Sequence, residues 1–135
     1  MINKNEIIST VKPEIVLGQI YHTRDTLQIV HHQTLSFAEH KASEEYYDGI
    51  VGLADNLIEA YFGCMGKRLN YKIPASEYTS PIPYLTNFKE YLMKHRNVFG
   101  IPVRTVYFKL FCMTALNIRK WSTFHINVIH VDKEF

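Results

Sequence analysis

The sequence predicts an all-α fold, a four-helix bundle with a long irregular connection between the second and third helices. Three observations predict it. Val16, Ile20, Thr23, Leu27 and Val30 recur at near-heptad spacing, an apolar seam suited to helix packing. Phe37, Tyr47, Ile50, Val51, Ala54, Leu57, Ile58 and Tyr61 form one stripe at 3.6 residues per turn. After them comes GCMGKRLNYKIPASEYTSPIP, where Pro74, Pro81 and Pro83 and scattered Ser and Thr break any regular period. The chain has 135 residues, 47% of them apolar, enough for one domain over residues 1–135 with a real core.

Residues 1–12 read as a lead-in in which Ile7, Ile8 and Val11 can pack. The first helix starts at Pro13, with proline at its first position and Glu14 behind it, and runs to about His32. His31 continues the seam by one step, while His22 and Asp25 lie off it, on the surface. Both His31 and His32 suit a helix C-terminus, where the macrodipole favours positive charge. Ser36 and Glu39 have the spacing of a capping box and open the second helix, which runs to Phe62. Gly49 and Gly52 mark a place where another helix can come close, and Gly63 and Gly66 can end the helix.

A third helix starts near Pro83 and runs to about Asn97, with Tyr84, Leu85, Phe88, Leu92 and His95 on one face. The last third has two readings. Residues 102–121 can form a fourth helix with Val106, Leu110, Met113 and Leu116 or Asn117 inward. Alternatively, TVYFKLF alternates like a strand and STFHINVIHV is rich in β-formers. No acidic residue occurs between Glu90 and Asp132. His125 and His130 fall in this tail, away from the central motif.

That motif is His31, His40, Asp55 and Glu59. His40, Glu44, Asp48, Asp55 and Glu59 lie along one border of the second helix's stripe, where a bundle can offer ligands without placing bare charge in its centre. The bland reading is a solvated border in which His40 and Glu44 make an ordinary i,i+4 pair. Geometry limits the alternative. His40 and Asp55 are separated by roughly 22 Å of helix, so they cannot hold one ion within one chain. Asp55 and Glu59 can converge, and His31 and His40 can converge if the chain turns at residues 33–36. A four-ligand site therefore needs two copies of the helix packed antiparallel, and two-fold symmetry then gives two equal sites.

The stretch resembles the ferritin-like DNA-binding proteins from starved cells (Dps). Phe37 stands before His40, and Asp55 and Glu59 follow His40 at the family's spacing, with His31 as the first histidine. The wording H-x-Q-T-x-S-F-A-E-H is closest to short Dps-like proteins, many phage-encoded, of unassigned function. The loop between the two histidines is shorter than in typical members, His32 stands where Trp is usual, and Thr34–Ser36 replaces the loop's Gly. The resemblance covers residues 13–63. It implies a ferritin-like bundle, an iron site (Fe2+/Fe3+) shared between subunits by His31, His40, Asp55 and Glu59, and a homodimer or larger shell. Glu44 and Asp48 are candidates to orient the ligating histidines.

Composition excludes other classes. Net charge is +2, from 15 basic and 13 acidic residues, too balanced to advertise nucleic-acid binding. There is no basic tail, although the spread basic residues between Lys89 and Lys120, interleaved with aromatics, can touch phosphate. No apolar run spans a membrane and the first residues lack a signal-peptide core, so the expected location is cytoplasmic, or virion-associated for a phage-encoded chain. Cys64 and Cys112 read as buried or half-buried thiols. No G-x-S-x-G, H-E-x-x-H or phosphate loop occurs. Two functions are expected: a Dps-like iron-binding protein with ferroxidase activity, or a non-catalytic ferritin-like structural or interaction protein.

Overall fold

The structure, a computed structural model, describes residues 11–127, with side chains as far as Trp121. Within that span the fold is all-α. Four helices, α1 (Pro13–Gln33), α2 (Phe37–Met65), α3 (Pro81–Lys94) and α4 (Arg104–Asn127), are joined by one 3-10 turn at Ile101–Val103. Helix α1 packs on α2 and α3, and α4 packs on α2 and α3, while the backbones of the diagonal pairs stay apart. The order round the core is therefore α1, α2, α4, α3.

The first two helices form a tight antiparallel hairpin through residues 34–36. Ser36 caps α2 by accepting from the Glu39 N–H at 3.3 Å. Thr34 widens the expected capping box, because its hydroxyl accepts from the Ser36 N–H at 3.0 Å and donates to the Glu39 carboxylate at 3.1 Å. At the far end Gly66 takes the left-handed conformation, φ 66°, and closes α2.

The connection then climbs back along α1. Its backbone passes so close that a Cβ on Gly18 would lie 2.3 Å from the Lys72 carbonyl oxygen. Higher up, Tyr71 stacks on Tyr21 at 5.4 Å, and the Ala75 carbonyl accepts from His22 at 3.3 Å. Helix α3 thus starts near the upper half of α1 and descends beside it. Helix α4 rises again, bringing Asn117 near its end onto Ala42 near the start of α2. The directions are up, down, down, up.

The seam on α1 is buried as the heptad spacing predicts: Val16, Ile20, Leu27 and Val30 are fully inaccessible and Thr23 nearly so. On α2 the buried line runs through Ala42, Tyr46, Ile50, Ala54, Leu57 and Tyr61. Near its N-terminal end the buried residues differ from the predicted stripe: Ala38, not Phe37, and Tyr46, not Tyr47, enter the core. There the Tyr46 phenol donates to the Thr23 hydroxyl at 2.8 Å, and burial holds its pKa well above the ordinary tyrosine range. Gly49 does face another helix, at Met113, whereas Gly52 faces open space.

Helix α3 begins at Pro81 rather than Pro83. Both prolines fit, because the first helical N–H groups have no intrahelical partner to lose. Leu85, Phe88, Leu92 and His95 are buried from it.

The strand reading of residues 105–111 is overturned. Alternation would bury Phe108 and expose Tyr107, but Phe108 is 54% exposed and Tyr107 3%. Val103, Tyr107, Leu110, Thr114, Asn117 and Trp121 are buried at alternating spacings of four and three, a helical seam. Asn117 is thus the inward residue and Leu116 is exposed, while Val106 and Met113 are half-buried. Residues 122–127 of the proposed β-rich tail lie in α4, and His130 lies outside the described residues. Cys64 is exposed and Cys112 half-buried, and both are free. No described helix is long and apolar enough to cross a membrane.

Candidate functional site

The α1–α2 turn brings His31 and His40 together. Their rings stack with centroids 3.7 Å apart and planes 21° from parallel. Each ring is held by the other residue's backbone: His31 Nδ1 lies 2.7 Å from the His40 carbonyl oxygen, and His40 Nδ1 lies 3.1 Å from the His31 carbonyl oxygen. A carbonyl can only accept, so both Nδ1 atoms carry a proton, and a neutral ring then has its lone pair on Nε2. Tyr47 meets the His31 ring edge-on at 5.4 Å, and the His32 ring lies tilted to it at 5.6 Å. The turn is short because Thr34 and Ser36 fix it, and this shortness places the two rings face to face.

The carboxylates lie elsewhere. Asp55 is exposed on α2 and accepts from the Tyr21 phenol of α1 at 3.3 Å. Burial above all, then Tyr71 and Asp55, pushes the Tyr21 phenol well above its ordinary pKa, so it keeps the proton it donates. Glu59 is exposed one turn further on. Of the two residues expected to orient histidines, Glu44 is half-buried and Asp48 exposed. They raise the pKa of the neighbouring Tyr47, after burial, which is the largest cause. The groups that hold the imidazole Nδ1 atoms are the two backbone carbonyls.

The four expected ligands thus fall into two pairs, His31 of α1 with His40 of α2 at the turn, and Asp55 with Glu59 farther along α2. Among the described residues, no three His, Cys, Asp or Glu side chains of one chain gather closely enough to hold a metal ion. The separation of His40 from Asp55 follows from the length of α2 between them.

A second polar centre escaped sequence reading. His22, expected on the surface, is half-buried between α1, the connection and α3. Its Nε2 donates to the Ala75 carbonyl, which leaves Nδ1 to accept from the Tyr84 phenol at 2.5 Å. Burial pushes the Tyr84 pKa up to about 12, so the phenol remains the donor. These residues line a cavity of about 300 Å³ with Ser76, Glu77 and Thr79. Tyr84 is 62 residues from His22 in sequence, so no local spacing signals the pair.

The model of a family of unknown function, DUF5856, matches residues 31–105, from the first histidine of the stacked pair into the start of α4. No curated protein and no solved structure matches the chain. The matched span is more than half of the sequence, and the chain belongs to the DUF5856 family of unknown function.

Proposed function

We propose that the chain is a Dps-like, ferritin-like iron-binding protein whose metal site is completed between two copies. The observation that carries this reading is the stacked His31–His40 pair, with both Nδ1 atoms tied to carbonyls so that a neutral ring carries its lone pair on Nε2. An orienting bond at the non-ligating nitrogen is the usual companion of a histidine ligand. The up–down–down–up order with one long crossover, the arrangement of ferritin-like folds, supports the same reading.

His31 and His40 of one copy and Asp55 and Glu59 of a second would hold the iron. A lone pair lies in its ring's plane. Two nearly parallel rings 3.7 Å apart therefore suit two neighbouring ions, one per imidazole, better than chelation of one. Iron bound there would pass from Fe(II) to Fe(III) at the expense of peroxide or dioxygen. The protein's part is to fix the rings through the turn, to supply carboxylates that neutralise the ions, and to bring two helices together. Antiparallel pairing of His40 with Asp55 and Glu59 centres the contact near Tyr47 and Val51, both half-buried on the single chain.

Anaerobic Fe(II) titration with the solution mass recorded tests this. Two irons per His31–His40 pair are expected, lost in His40→Ala and in Asp55→Ala while the helical signal persists. Val51→Lys should dissociate the copies and abolish binding together. A well-folded oligomer that takes up no iron would sink the reading and leave the non-catalytic structural or interaction protein.

A further inference from the structure

Away from His31 and His40, the end of α3 and the first turns of α4 form a second cleft of about 360 Å³. Its walls are apolar: Leu92 from α3, and Tyr107, Phe108 and Phe111 from α4. Phe108 stacks on Phe111 at 5.9 Å and is 54% exposed, an aromatic surface that the fold's own core does not use. Arg96 and Arg104 also line the cleft. Their hydrogen bonds go to neutral acceptors: Arg96 donates to the Met93 carbonyl at 2.9 Å, and Arg104 to the Asn97 side-chain oxygen at 2.7 Å. Among the described residues neither guanidinium meets a carboxylate; the ion pairs are Arg24–Asp25 and Lys120–Glu45, elsewhere.

The charge imbalance extends beyond the two arginines. No Asp or Glu occurs between Glu90 and Asp132, and Lys94 and Lys109 lie in the part of that stretch next to the cleft. Helix α4 opens with no acidic residue in its first turn, so its own sequence gives the positive end of its dipole no counter-charge.

We infer that this cleft binds a small amphiphilic anion, with an alkyl or aromatic body against Phe108 and Phe111 and a carboxylate or phosphate head on Arg96 and Arg104. The volume lies in the range of small-molecule sites, roughly 300–1,000 Å³, which are typically apolar with a few fixed polar groups. A planar guanidinium pairs with either head by two parallel hydrogen bonds. An uncharged body of the same length would satisfy the walls and leave both cations unmatched. The inference does not depend on the iron site, which lies at the other junction.

Isothermal titration of the full-length protein tests it, with decanoate, decyl phosphate and decanol below their aggregation concentrations. Both anions are expected to bind saturably, and the tighter one identifies the head group. Decanol should bind at least about tenfold more weakly, the scale of one charge-assisted contact. Arg96→Gln should weaken the anions by about tenfold and reduce the salt dependence. Phe108→Asp, which adds a negative charge to the wall, should abolish binding. Arg96 and Phe108 are exposed, so both variants should keep the wild-type circular dichroism and melting temperature. The idea is overturned if the folded wild-type shows no saturable anion binding. It is also overturned if decanol matches decanoate, or if both variants bind like the wild type.

Discussion

Each helix pair turns at a junction that contains histidine, and the two junctions are built differently. Between α1 and α2, His31 and His40 close three residues of turn by bonding each other's backbone, and Ser36 caps the next helix. Between α3 and α4, His95 is 4% exposed, yet its Nδ1 has no hydrogen-bond partner among the described residues. Tyr91, half-buried and edge-on to it at 4.6 Å, has a buried hydroxyl that also lacks a hydrogen-bond partner among the described residues. A buried polar group without a partner costs about 1–3 kcal/mol, so side-chain pairing is less complete at the second junction than at the first. The open cleft sits beside it. The difference teaches that the first junction is organised to hold side chains in place and the second to remain adaptable.

Helix α4 depends on α2 more than on its own hairpin. The Asn117 amide donates to the Ala42 carbonyl at 3.1 Å, and the Trp121 indole donates to Asn117 at 2.6 Å, so one buried chain ties the two helices near the first junction. Trp121→Ala removes the largest fully buried side chain and should cost about 3–5 kcal/mol. Hydrogen exchange should show α4 losing protection before α1 and α2. Equal loss in all four helices would break the comparison, because the first hairpin would then have no stability of its own.

The first hairpin was the legible half. Its seam needs only local period, and Ser36, Glu39 and Gly66 are read from residue type and spacing. The pairing of His31 with His40 required only a turn between two helices. The second half was harder to read for physical reasons. Tyr107 and Phe108 differ little in hydrophobicity, so residues 105–111 carry both a strand and a helix period. The phase is settled by what Tyr107 reaches, the Leu92 carbonyl at 2.6 Å. His22 acquires its role from a connection with no period at all. Of the candidate site, the two ligand pairs and their separation follow from α2's length, but the stacking of the rings does not.

Gly18→Ala tests how tightly the connection is bound to the first hairpin. Its Cβ would meet a backbone carbonyl rather than a flexible side chain, so either α1 or the connection must shift. A loss of about 1–3 kcal/mol is expected, typical of overpacking. A variant as stable as the wild type would mean that the connection floats on α1, and the His22–Tyr84 bond would then lose its anchor.

A smaller effect sharpens the first junction. Ser36→Ala removes the cap on α2 and should cost about 1 kcal/mol in chemical denaturation. Because the cap lies between the two histidines, the iron affinity that the proposed function expects should fall with it. Restoration of both by Ser36→Asp, another good cap, would separate a positioning effect from general destabilisation.

The smallest expected effect belongs to the second junction and appears in pH dependence. Burial, and then Lys94, lowers the pKa of His95 below its ordinary 6.5. A histidine with a lowered folded-state pKa binds fewer protons folded than unfolded as pH drops through 6.5. Its contribution is therefore intact above that value, is lost as pH falls towards the folded-state pKa, and then levels off. Urea unfolding between about pH 7.5 and pH 5 should show this acid limb, and His95→Phe should flatten it. The same limb in both proteins would assign the acid loss to another group and remove the unpartnered imidazole as the weak point of the α3–α4 junction. A flattened limb in which anion binding at the cleft also becomes less sensitive to pH would tie that adaptability to His95 itself.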